Sequence, residues 1–517
     1  MENGWRGFKR EYFWFTLALM AVLLASAARA AGTDDPAAEK KKPTIEELEK
    51  RIEILERQLQ SQQPAAAAIP AEVAKPVAAQ QVPPTHPVTE QQAGSATESN
   101  PQIFAGPGGF SFQSADGADQ IRFHGEFDFD GRFYTDDLTP DGSRSTWLLR
   151  RARPIIEGTF ANIFDFRFNP DFAGGKTVIQ DAFVAARFNP LFVVTAGKFK
   201  EPFGLERLQL SPNNRFIELG LPSDLVPNRD LGIQISGTYK FATGTLTYQL
   251  GYFDGVVDGT STDANSTPDV DNNDKKDWVA RLFAQPFLYT DSVFSKLGAG
   301  IAVSYANQVG GATNTLLPVY KTETQRNFFT YDLATTTAAA TIANGERVRF
   351  SPQAYYYYKS FGLLTEYVSE SQDVSRTFGS GANAPVRRAR LKPDSWQVGA
   401  TFLVTGDDAS FGTIVPKRPF ALGQPGWGAL ELAARISQLK LDSATFLSPA
   451  GTAAEWFADP SAQAREATAW TLGLNWYLTQ NVAWYLDYSK TSFDGGALAG
   501  KDRADESAYF TRFQVAF

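Results

Sequence analysis

From Ile121 to Phe517 the chain runs largely in a two-residue period. In the first such run Ile121, Phe123, Phe127, Phe129 and Phe133 share one parity, and Arg122, His124, Glu126, Asp128, Asp130 and Arg132 share the other. Successive side chains of a strand point to opposite faces, so this is a strand with one apolar and one charged face. Phe164, Phe166 and Phe168 alternate with Asp165, Arg167 and Asn169, and Ile233 and Ile235 with Gln234 and Ser236. Leu246, Tyr248, Leu250 and Tyr252 oppose Thr245, Thr247 and Gln249. Leu430, Leu432 and Ile436 oppose Glu431, Arg435 and Ser437, while Trp470, Leu472, Leu474 and Trp476 oppose Thr471 and Asn475. The last run sets Tyr509, Thr511, Phe513, Val515 and Phe517 against Arg512, Gln514 and Ala516, with Phe510 as the misfit.

The period predicts about 16 strands, an even number as in outer-membrane barrels. Their expected starts lie near residues 120, 146, 163, 178, 191, 231, 244, 276, 296, 346, 361, 394, 428, 468, 481 and 507. Tight connections at 161–163, 189–190, 241–244, 359–360 and 479–480 alternate with long ones at 201–230, 255–275, 308–345 and 443–466. The stretch 406–428 is the exception on the short-turn side. Short turns belong to the periplasmic end of such a barrel and long loops to the outside. A soluble sandwich would carry the same alternation with its apolar face inside, and periodicity does not separate the two. A C-terminal strand ending on Phe517, and aromatics near strand ends, favour a transmembrane barrel.

The N-terminus agrees. Arg6, Lys9 and Arg10 precede an apolar run from Tyr12 to Ala27, followed by Ala28-Arg29-Ala30. A run of roughly 16 residues is short for a spanning helix, and the small-x-small site reads as signal-peptide cleavage, so 1–30 is expected to be a signal peptide. Over 44–61, Ile45, Leu48, Ile52, Leu55 and Leu59 follow coiled-coil a/d spacing, and Thr44 with Glu47 forms a capping-box pattern. So short a helix is marginal alone and makes sense where several chains are already held together. Ile at a with Leu at d favours dimers, whereas porin barrels are usually trimers; the barrel is the stronger guide, and a trimer with a periplasmic coil is expected. The Ala-, Pro- and Gln-rich stretch 62–101 is a linker that includes His86, and 102–517 is assigned to the barrel.

Composition narrows the chemistry. Phe (40), Tyr (18), Trp (10) and Gly (42) are abundant across 517 residues, and cysteine is absent. A mean hydropathy of −0.26 is wrong for a helical membrane protein but suits a barrel whose polar lumen dilutes every apolar strand. The net charge of −8 argues against nucleic-acid binding. With only His86 and His124, no cysteine and no metal-spaced cluster, neither an enzyme nor a cofactor is expected.

Several stretches carry a family likeness. They are Leu149-Arg150-Arg151-Ala152-Arg153, the run from Gly197 to Glu206, Asn228-Arg229-Asp230-Leu231-Gly232, the run from Gly426 to Arg435, and Leu472-Gly473-Leu474-Asn475-Trp476-Tyr477. In that order they resemble the phosphate-selective porin O and P family, over about 102–517. The resemblance implies a trimeric sixteen-stranded porin of the bacterial outer membrane with a narrow, anion-binding lumen. Its expected partners are membrane lipid and small anions such as phosphate.

A pore that prefers a compact oxyanion must replace lost water with charge-assisted donors. On lumen parity these are Arg151, Arg153, Arg167 and Arg187, with Lys198 and Lys200 leading into 201–230, a connection long enough to fold inward. Arg207 matches a basic position that resembles part of the relatives' phosphate site. For the relatives' ladder of arginines, Arg347, Arg349, Arg387, Arg388 and Arg390 are candidates. Simple alternation points Arg150 outward, so either a bulge intervenes or it snorkels to the interface. The plain alternative for each cation is a wall charge paired with Glu157, Asp165, Asp171, Asp181, Glu201 or Glu206. Two other functions fit the same sequence: a weakly selective diffusion porin, and an envelope tether acting through its N-terminal coil.

Overall fold

The structure is a computed structural model and describes residues 100–136, 145–175, 177–255, 275–312, 314–379, 383–449 and 455–517. The expected signal peptide and heptad helix, and all but the last residues of the linker, lie outside the described residues. The strands are β1 (Gln102–Gly106), β2 (Gly109–Gln113), β3 (Gln120–Tyr134), β4 (Thr146–Phe160), β5 (Phe164–Asp171), β6 (Val178–Asn189) and β7 (Phe192–Lys200). They continue as β8 (Arg229–Phe241), β9 (Gly244–Phe253), β10 (Asp277–Gln285), β11 (Lys296–Val309), β12 (Val319–Lys321), β13 (Asn327–Thr330) and β14 (Ile342–Tyr358). The rest are β15 (Phe361–Thr377), β16 (Val386–Leu391), β17 (Asp394–Leu403), β18 (Ala429–Lys440), β19 (Ala464–Tyr477), β20 (Val482–Gly495) and β21 (Glu506–Ala516).

Sixteen of them form an antiparallel barrel, each pairing with its neighbour in chain order. β21 returns to β3, with Phe513 opposite Phe129 and Arg512 opposite Asp130, so no edge is left open. Closure decides what alternation could not. Phe129, Ile233, Leu432, Leu472 and Phe513 are exposed on the outer face. Asp130, Gln234, Glu431, Thr471 and Arg512 are buried on the inner one. A soluble sandwich has the opposite polarity; an apolar outside around a polar inside is the arrangement for lipid. The misfit Phe510 points inward and joins Tyr485 and Leu403 in an apolar cluster.

The expected starts agree with the observed ones within a few residues, the largest differences being β14 and β19, which begin earlier at Ile342 and Ala464. The tight turn after β4 has Ala161 at φ 48° and Asn162 at φ 62°, the paired positive values of a type I′ hairpin. Three pieces were not read from sequence. The β1–β2 hairpin pairs with the first residues of β3, below the point where β21 ends. β12 and β13 form a separate hairpin inside the long connection after β11. β16 continues β17 along the same neighbour, β15, across Lys392-Pro393, where proline has no N–H for the ladder.

The lumen is filled by its own connections. The segment 201–228 folds inward, with Phe203, Leu205, Leu221, Leu225 and Val226 almost fully buried. The β12–β13 hairpin folds in from the same end, where Tyr320, Phe328 and Phe329 are equally buried. From the short-turn end, 407–414 enters with Ala409, Phe411 and Ile414 buried and Phe411 stacked on Tyr355 of β14. Small inward residues on β18 and β19, among them Ala433, Ala467 and Ala469, leave the room these segments occupy.

Candidate functional site: the lumenal constriction

The 201–228 segment enters the barrel where β7 ends. The Lys200 ammonium donates to the carbonyls of Arg207 (2.6 Å) and Gln209 (2.7 Å), curling the chain into a single helical turn, α1 (Leu205–Leu208). Glu366 of β15 accepts from the Leu205 and Glu206 amides at the start of that turn (2.8 and 3.3 Å). The Glu206 carboxylate accepts from Arg435 Nη1 (2.8 Å), Gln397 Nε2 (2.9 Å) and the Gly220 amide (2.9 Å). It thereby joins two walls and the segment's return path. Further along, Arg132 of β3 donates to Glu218 (2.6 Å), Asp487 of β20 accepts from the Ile217 amide (2.7 Å), and Arg435 Nη2 donates to the Glu218 carbonyl (2.9 Å).

Between the 201–228 segment and the wall strands β14, β15, β17 and β18, a cavity of ≈ 30 Å³ lies among Glu206, Arg215, Phe216, Tyr357, Gln397, Thr401 and Arg435. That is room for roughly two waters. Arg215 reaches it from the constricting segment, held by the carbonyls of Asn213 (2.8 Å), Ser410 (2.6 Å) and Gly412 (2.7 Å). Arg435 reaches it from β18, stacked over the Phe216 ring at 4.3 Å. The Nε–H of each guanidinium makes no hydrogen bond among the described residues; that of Arg215 lies 3.7 Å from the Glu431 carboxylate, an ion pair too long for a hydrogen bond.

The cations expected to line the pore are all inward or part-buried, and most are already engaged. Arg151 donates to Asp128 (2.7 Å). Arg153 spans Asp171 (2.7 Å), Glu126 (3.2 Å) and Ser211 of the inner segment (3.0 Å). Arg167 sits apart from these, between Glu157 (3.2 Å) and Asp181 (3.7 Å), and Arg187 pairs with Asp165 (3.2 Å). Lys198 is buried on β7. Arg207 donates to the Ser223 carbonyl (2.9 Å) and is tied to Lys200 through its own carbonyl. The structure therefore joins Lys200 and Arg207 directly, and links Arg151 to Arg153 through Glu126. Of the ladder candidates, Arg347 pairs with Asp277 and Arg349 with Glu370 (2.7 Å). Arg390 pairs with Glu346 (2.9 Å) and Asp373 (2.7 Å) near the surface. Arg387 donates to the carbonyls of Leu447, Glu455 and Ala444.

One orientation left open is decided: a bulge, and not snorkelling to the interface, accounts for Arg150. The β3–β4 register shifts between Asp128 and Phe129, so Arg150 is an extra residue opposite this pair. The bulge turns both Arg150 and Arg151 inward, each 4% exposed, and sets Arg150 Nε at 3.9 Å from Glu218. Strict alternation could not give that. The central pair, Arg215 and Arg435, was also missed. Arg435 had a signal, since it is a cation on the lumen parity of a motif-bearing strand; Arg215 had none beyond its place in a long connection.

No curated protein matches the chain. Solved structures with similar chains include the anion-selective porin from Comamonas acidovorans, at 12% identity over 77% of this chain and 100% of that one (TM-score 0.45). The outer membrane channel DcaP of Acinetobacter baumannii matches at 11% over 80% and 100% (TM-score 0.46). Outer-membrane expressed OmpT of Vibrio cholerae matches at 12% over 77% and 98% (TM-score 0.43). Likenesses that distant add nothing to the assignment, which rests on the sequence. Residues 120–517 match the family described as Phosphate-selective porin O and P, and these are the sixteen barrel strands with the constriction they enclose. The chain belongs to that family, the phosphate-selective porins O and P, and is a porin of the bacterial outer membrane.

Proposed function

We propose that the barrel passes small anions, phosphate or a related oxyanion, along the lumen between the infolded 201–228 segment and the wall, and that the anion is recognised at the Arg215–Arg435 pair. The observation that carries this reading is the pair of buried guanidiniums flanking the small cavity, each with an Nε–H that makes no hydrogen bond among the described residues, that of Arg215 facing Glu431 at 3.7 Å. A buried donor without an acceptor costs about 1–3 kcal/mol, and an oxyanion oxygen would remove that cost. Guanidinium also suits the planar, charge-assisted recognition of phosphate. Arg151, Arg153, Lys198, Lys200 and Arg207 set the potential and the shape of the approach, with Arg167 further along the wall. The working unit is a homotrimer embedded in lipid, with the 44–61 helix in the periplasm bundling the three chains; the heptad spacing supports a coil, and the barrel rather than the Ile/Leu pattern supports three chains.

Single-channel current in a planar bilayer under a potassium chloride gradient tests the reading. An anion-selective reversal potential, with current blocked by added phosphate, is the expected result. A cation-selective potential, or current indifferent to phosphate, would overturn it.

A further inference from the structure

Four donors on the lumenal wall converge on one carboxylate of the chain itself. Glu323 lies in the turn between β12 and β13 and is 2% exposed. Its Oε1 accepts from Ser437 Oγ (2.7 Å). Its Oε2 accepts from Arg435 Nη2 (2.9 Å), Thr471 Oγ1 and, more weakly, Ser489 Oγ (3.4 Å). Arg435 and Ser437 stand on β18, Thr471 is the register partner of Arg435 on β19, and Ser489 is the register partner of Thr471 on β20. Three adjacent strands thus present a cradle of one guanidinium and three hydroxyls, and the group it holds is an oxyanion.

We propose that this cradle is an oxyanion-binding subsite of the pore, and that Glu323 is its tethered occupant, displaced when a permeating phosphate or carboxylate enters. The proposal rests on the anion-porin reading above and adds a competitor to it. Glu323 is not what secures the hairpin. Thr322 and Thr324 hydroxyls both donate to Glu506 (2.7 Å each), and Arg326 pairs with Asp136 (2.8 Å). Tyr320 stacks on Phe329 at 5.4 Å between centroids. With the hairpin fixed by those contacts, the Glu323 side chain can leave the cradle by rotation while the backbone stays. Its departure leaves the Ser437 hydroxyl without its acceptor, while Arg435 Nη2 keeps only the Glu218 carbonyl (2.9 Å) and Thr471 only Ser489 (3.0 Å); a buried donor left unmatched is costly, so an anion is favoured in its place. Arg435 is shared: its Nη2 serves the cradle and its Nε lies unmatched beside the central cavity. An anion leaving that cavity would meet the same guanidinium in the cradle, the multi-site arrangement that lets a bound ion move on.

The test uses the full chain in planar bilayers, with chloride current titrated by inorganic phosphate and, separately, by acetate. Glu323→Ala should lower the half-blocking concentration of one or both anions at least about tenfold, the equivalent of one charge-assisted hydrogen bond regained. Which anion gains identifies the class. Adding Ser437→Ala and Thr471→Val to that variant should abolish the gain. Equal block in wild type and Glu323→Ala overturns the proposal. So does a gain that survives loss of the hydroxyls, because it then reflects only a removed negative charge. Glu323→Ser, which also empties the cradle but keeps a polar residue in the turn, provides the same comparison if the alanine variant assembles poorly. The wild-type reversal potential separates the two readings: cation selectivity defeats the anion porin itself, whereas anion selectivity with unchanged block defeats only the tethered occupant.

Discussion

Replacing Glu206 with alanine should open the constriction without opening the barrel. The carboxylate accepts from Arg435, Gln397 and the Gly220 amide, each within 2.9 Å, and is 6% exposed. Deleting it takes an acceptor from three buried donors and breaks one of the two ion pairs of Arg435, whose pairing with Glu323 remains, a loss of about 3–5 kcal/mol. None of that loss falls on the strand ladders, which close through β21 and β3 whatever the segment does. It falls on the docking of 201–228, so the undocked population rises by about 10²–10⁴-fold. Glu366 still holds the amides of Leu205 and Glu206, so the segment should flicker rather than leave. The assay is single-channel recording beside heat-modifiable gel migration, which reports an intact barrel. Higher conductance with added open-channel noise is expected. A correctly folded Glu206→Ala barrel with wild-type conductance and noise would refute the argument that this carboxylate pins the constriction.

Three further outcomes follow from named contacts. Lys200→Glu combined with Arg207→Glu should raise the half-blocking phosphate concentration about tenfold or more, since it reverses two charges at the entry of the segment; unchanged block would remove both residues from the anion's path. Burial holds the Asp224 carboxyl well above its ordinary value of 3.8, against the pull of the Lys321 amide and the Arg207 and Lys321 charges. The folded state therefore keeps that proton longer than the unfolded one. Stability is full below the ordinary value and declines as pH rises toward the folded one. Asp224→Asn should flatten that decline in a comparison of thermal midpoints at acidic and alkaline pH, and an identical slope would exclude Asp224 as its source. Gly197 sits at φ 129° with an added Cβ only 2.2 Å from the Ala182 carbonyl, so Gly197→Val should lower the yield of heat-modifiable barrel sharply; normal assembly would show that β6 and β7 can separate there.

The strands were legible because their cause is local. Lipid outside and polar surroundings inside impose alternation on every wall strand, and a period of two survives in sequence without any knowledge of the neighbours. That is why Leu432 and Glu431, or Leu472 and Thr471, declare their faces, and why the sixteen barrel strands begin close to where the pattern places them. The inward fold of 201–228 was legible in outline from its length and from the cations leading into it. The site was not. Arg150 turns inward through a bulge opposite Asp128 and Phe129, and a bulge belongs to a strand pair rather than to a strand. Arg215 and Glu323 lie in connections with no period at all, and their partners, among them Ser410, Arg435 and Thr471, come from distant strands. Sequence determined a wall of alternating strands with one apolar and one charged face, and favoured a barrel; the closure of β21 on β3 put the charges inside. Only the tertiary structure decided which charges neutralise each other, and which two guanidiniums keep a donor unmatched beside the cavity, because that choice is made across the lumen by segments folded into it.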